Sequence, residues 1–130
     1  MFCPLDCGDP EISLQTENMM AVRFKTSTPK KLLATYKKSI DDGHVKTWSY
    51  DSDGDFTHTA EQWLRKAWFR PKVTEREELV FYILAPRDSK LSSEVYAIYH
   101  GRLIESVLHH CDSLFTAGCA TAMPDSGDMI

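Results

Sequence analysis

The sequence predicts an α+β fold, a curved antiparallel sheet of four to five strands packed against two helices. Two segments carry apolar residues at helical spacing: Leu32, Leu33, Tyr36 and Ile40 in one, and Tyr96, Tyr99, Leu103, Val107, Cys111 and Leu114 in the other. Between them lie short alternating or apolar runs bounded by turn residues, as antiparallel strands require. Helix, then several strands, then helix is an order that favours α+β over a strict strand–helix alternation.

Val22 to Lys25 reads as a short strand. Ser27 or Thr28 caps the first helix, with Pro29 at its first position, where a missing N–H is tolerated; Gly43 is a fitting stop. Residues 45–50 alternate, with Trp48 and Tyr50 on one side. Asp53-Gly54 then supplies a hairpin turn, and the return strand carries Phe56 and His58 on one face. Thr59 to Gln62 reads as a cap with a short helical turn. Lys66 to Val73 is the next strand. Glu78 to Ala85 follows, apolar on both faces through Leu79-Val80-Phe81-Tyr82-Ile83-Leu84, which places it in the middle of the sheet. Asp88 to Ser93 supplies caps for a helix over about 92–113, and Phe115 to Met123 is an edge strand or extended loop.

The chain has 130 residues, enough for one domain with a real core. Residues 1–20 read as a flexible leader, 21–123 as the single α+β domain and 124–130 as a flexible tail. A net charge of -4 argues against a dedicated nucleic-acid binder, although Lys30, Lys31, Lys37 and Lys38 crowd one segment. There is neither an apolar run long enough for a membrane helix nor a secretory signal pattern. Cys3, Cys7, Cys111 and Cys119 are not a disulfide framework in a domain of this size, and Cys3 and Cys7 lack a second pair of matching spacing for a metal, so reduced thiols in a cytoplasmic protein are expected.

All three tryptophans, a carboxylate triplet and a histidine fall between Trp48 and Pro71. Asp51, Asp53 and Asp55 imitate the start of a calcium loop, but Phe56 replaces its glycine and Gln62 its bidentate glutamate. A solvated hairpin tip accounts for them, and no metal is assigned. His58 shares a strand face with Phe56, near Trp48 and Tyr50. His100 interrupts the apolar stripe of the second helix, where a buried imidazole needs a partner; a core histidine satisfied by a tyrosine or backbone group is preferred to one awaiting an acid or a ligand. Arg70 could grip a carboxylate or phosphate bidentately, although a solvated strand-end arginine is the preferred account of it. Arg102 and Glu105 read as an ordinary i, i+3 surface pair, and His109 and His110 as charges suited to a helix end. No nucleophile elbow, activated cysteine or phosphate-binding glycine loop is present, so no cofactor is implied.

The phrases TWSYDSDGDFTHTAEQW, KAWFRP and YAIYHGRLIESVLHHCD resemble a group of small uncharacterised bacterial proteins over about residues 21–123. With its unmatched leader, the chain is also similar to products of mobile integron gene cassettes. The resemblance implies a compact bacterial domain and brings no catalytic residues with it.

Three functional readings follow. In the first, a small molecule binds in a pocket lined by Trp48, Tyr50, Phe56, Trp68, Tyr82 and Tyr99 and oriented by His58, His100 and Arg70. In the second, outward-facing aromatics make a protein-interaction module, such as a homodimer. In the third, His58 and His100 are the acid and base of a hydrolase-like enzyme.

Overall fold

In a computed structural model, residues 21–87 and 91–120 are described. The expected leader and tail lie outside the described residues. Among the described residues, six strands and two helices occur in the order β1 (Ala21–Lys25), α1 (Pro29–Asp41), β2 (Trp48–Tyr50), β3 (Phe56–His58), β4 (Trp68–Thr74), β5 (Glu78–Leu84), α2 (Ser93–Cys111) and β6 (Ala117–Ala120). A 3₁₀ turn over Asp112–Leu114 joins the last two. All strand pairings are antiparallel, in the order β2-β3-β4-β5-β1-β6. The architecture is therefore the expected α+β one, with one strand more than the four to five foreseen: the last segment does form an edge strand, against β1.

Local sequence accounts for most boundaries. Pro29 opens α1, but the cap works differently from expectation: Thr26 Oγ1, not Ser27 or Thr28, accepts a backbone N–H, that of Thr28. Gly43 leaves α1 at φ +83°, a conformation that favours glycine. Gly54 takes φ +85° in the β2–β3 turn, where Asp51 Oδ1 accepts the N–H groups of Asp53 and Asp55. Ser92 caps α2 by accepting the N–H of Val95. Residues 60–66 form successive turns, one of them closed by the Leu64 N–H on the Ala60 carbonyl, and Arg65 sits at φ 60°.

The core lies between the helices and one face of the sheet. Val22 and Phe24 of β1, Phe56 of β3, Phe69 of β4, and Leu79, Phe81 and Ile83 of β5 meet Leu32 and Tyr36 of α1 and Tyr99, Leu103, Val107 and Cys111 of α2. β5 is central, as its two apolar faces require. Its odd-numbered residues face the helices. Its even-numbered ones pair on the opposite face, Val80 with Arg23 and Lys72, and Tyr82 with Arg70. Arg23 and Glu78 form a mostly buried ion pair there at 3.1 Å. Cys111 is a free, buried thiol, whereas Cys119 is disulfide-bonded, which corrects the expectation that all four thiols are reduced. Among the described residues no helix is long and apolar enough to cross a membrane.

Candidate functional site

Trp48 stands directly opposite His58 in the β2–β3 hairpin, and the pair turns toward α2. The indole is fully buried, with ring centroids 5.1 Å from His58, 5.5 Å from Tyr99 and 6.0 Å from Phe69. This cluster is packed ring against ring. The Tyr99 hydroxyl donates to the Trp63 carbonyl and contacts Thr57 Oγ1, so its polar end serves the turn between β3 and β4. Tyr50 lies at the rim: its hydroxyl donates to Asp41, which raises its pKa, and its ring lies under Lys37.

The sequence-derived candidates divide between two faces. Trp48, Tyr50, His58, Tyr99 and His100 are on the helix side. Trp68, Arg70 and Tyr82 share the opposite side, because Phe69 and Ile83, their neighbours in the β4–β5 register, take the core positions. Arg70 forms a two-point ion pair with Asp55, at 3.0 and 2.9 Å. One cavity cannot be lined by all eight, since the sheet separates them.

His58 and His100 also part company. Both rings are almost fully buried, at 2% and 3% exposure. Nδ1 of His100 lies 2.8 Å from the Tyr96 carbonyl, which can only accept, so that nitrogen carries the proton and Nε2 keeps a lone pair. The ring stacks on Tyr96 at 3.7 Å and meets the Phe69 ring at 5.2 Å. Burial lowers its pKa to about 4. It is a neutral core histidine.

His58 has the opposite tautomer. Its Nδ1 accepts the N–H of Ala60 at 3.1 Å, so the neutral ring carries its proton on Nε2. Burial, and then the charge of Arg102, lower its pKa and keep it neutral. Among the described residues, neither the His58 Nε2–H nor the Trp48 indole N–H has an acceptor, and the His100 Nε2 lone pair has no donor. Such orphaned groups are uncommon in protein interiors, where nearly all polar atoms find a partner.

His58 forms one wall of a cleft of about 200 Å³. Thr47 lies beside it, and one face of α2 forms the other wall: Arg102, Glu105, Ser106, His109 and His110. Those positions follow the i, i+3, i+4, i+7, i+8 spacing of one helix face. At about 100° per residue they lie on the flank of the buried stripe opposite to His100. Arg102 and Glu105 do not pair with each other as the sequence suggested. The ion pairs among the described residues are Arg23–Glu78, Lys38–Asp42 and Arg70–Asp55. Ser106 Oγ shares a 2.7 Å hydrogen bond with the Tyr36 hydroxyl behind the wall. Burial, with the neighbouring His109 and His44, lowers the pKa of His110.

The sequence reading found His58 and missed the rest of this cleft. The signal was present as a polar stripe, R-x-x-E-S-x-x-H-H, running beside the apolar stripe of α2. The three aspartates do lie close, with ligand oxygens within 4.8 Å, but Asp51 supports the turn and Asp55 holds Arg70. Comparison with protein-family models, with curated proteins and with solved structures finds no match.

Proposed function

We propose that this protein binds a small molecule in the cleft between the β2–β3 hairpin and α2. The observation that carries the reading is the His58 Nε2–H. It is a buried hydrogen-bond donor, held in one tautomer by Ala60, on a residue that lines the cleft, and it lacks an acceptor among the described residues. A ligand oxygen reaching that wall would satisfy it, and leaving such a group unmet costs on the order of 1–3 kcal/mol. The cleft is smaller than the roughly 300–1,000 Å³ typical of drug-sized pockets, so its occupant is a small molecule of few atoms.

Hydrolase-like chemistry with His58 as the base fits less well, because the base would need a lone pair where the ring carries its proton. Self-association through the outer face, which presents Trp68 and Tyr82, is the remaining reading, and sedimentation equilibrium tests it directly. For the binding reading, the test is a thermal-shift screen of small metabolites against wild type and His58→Phe. A native-state ligand raises the Tm. Hits lost in His58→Phe support the cleft; hits retained in full place the site elsewhere and refute it.

A further inference from the structure

Resting on that reading, we infer that the ligand is a small monocarboxylate bearing a hydroxyl or ammonium group, held by Arg102 and His58 at its anionic end and by Glu105 at the other. Arg102 makes no hydrogen bond or ion pair among the described residues, although it lines the same cleft as His58 and its charge lowers that residue's pKa. Arg102 and His58 line one cleft, and the guanidinium and the imidazole N–H are both donors without an acceptor among the described residues. A carboxylate supplies two oxygens and suits the planar donor fork of arginine.

Glu105 decides between anions. It is the only carboxylate on the cleft and has no cationic partner among the described residues. A dianion such as phosphate would balance Arg102 and then meet Glu105 with like charge. A monocarboxylate with a donor group balances Arg102 and also gives Glu105 a hydrogen bond. The Ser106 hydroxyl is engaged by Tyr36, so it does not compete for the acid. The small cleft volume fits molecules of this size.

The test uses the full chain at pH 7 with four probes at millimolar concentration: L-serine, L-lactate, inorganic phosphate and glycerol. Binding is followed by the Tm and by the ¹⁵N resonance of His58 Nε2. Serine or lactate should shift both, and Arg102→Ala should weaken that binding about tenfold or more, as loss of a charge-assisted hydrogen bond does. Arg102 is exposed, so this variant should fold as wild type does. Glu105→Gln should weaken serine and lactate while strengthening phosphate.

Binding of glycerol alone, with the His58 resonance moving, would overturn the charge assignment and leave the cleft reading standing. Phosphate binding more tightly than serine or lactate would overturn the role given to Glu105, and with it the inference. A His58 resonance unmoved by all four probes overturns the inference too; the wider metabolite screen then decides on its own whether the cleft binds anything.

Discussion

Replacing His100 by Phe should remove an acid sensitivity built into the core. The imidazole has an ordinary pKa of 6.5 when the chain is unfolded and about 4 when buried between Tyr96 and Phe69. Above pH 6.5 neither state holds the extra proton, and the residue makes stability no steeper with pH. Below 6.5 the unfolded chain takes up a proton that the folded chain refuses until about pH 4. Stability therefore falls as the pH falls across that window. At about 1.4 kcal/mol per pKa unit, the loss reaches about 3 kcal/mol from this side chain. His100→Phe keeps a flat ring of similar size on Tyr96 and removes both the titration and the orphaned Nε2. Urea denaturation of both proteins at pH 7, 6, 5 and 4 provides the assay. The difference in unfolding free energy should move in favour of the variant by about 3 kcal/mol between pH 7 and pH 4. With a slope of about 1–3 kcal/mol/M, this is a midpoint change of about 1–3 M. A difference that stays constant with pH would show that His100 is not the buried neutral base described above.

Other substitutions probe separate parts of the framework. Ser106→Ala strips the Tyr36 hydroxyl of its partner and should cost about 1–3 kcal/mol, whereas the Ser106→Ala, Tyr36→Phe double variant should cost less than the two single ones together. Additivity in that cycle would dismiss the bond. Gly118→Ala places a Cβ 3.0 Å from the Phe24 ring, which is fixed edge-on by Phe81 and Phe115; a loss of about 1–3 kcal/mol on thermal unfolding is expected. Arg70→Ala leaves the largely buried Asp55 carboxylate without its cation, for a cost of about 1 kcal/mol given the exposure of Arg70; this cost should be smaller in Asp55→Asn, where there is no charge to strand.

Much of the framework was legible in the sequence because it rests on local rules. Pro29 and Gly43 bracket α1, Asp53-Gly54 turns the first hairpin, and the doubly apolar β5 belongs in the middle of the sheet. The short helical turn expected at Thr59–Gln62 is closed by the Leu64 N–H on the Ala60 carbonyl, and Thr57 Oγ1 then accepts the Arg65 N–H, a contact from β3 that local sequence does not announce. The added strand β6 is a different case. Its small residues carry little intrinsic strand preference, and pairing with β1 settles it.

The sequence by itself determined which residues alternate within each strand and which fall on each stripe of α2, because those periods are properties of the backbone. Tertiary structure decided which side of the sheet each strand turned to the helices. β4 is aromatic on both faces at Trp68 and Phe69, so its parity came from the register Phe69↔Ile83, and that register sent Trp68, Arg70 and Tyr82 away from Trp48. The meeting of His58 with Arg102 and Glu105 has the same origin. His58 stands more than forty positions from the other two, and only the packing of α2 across the β2–β3 hairpin brings a strand-end imidazole to a polar helix face.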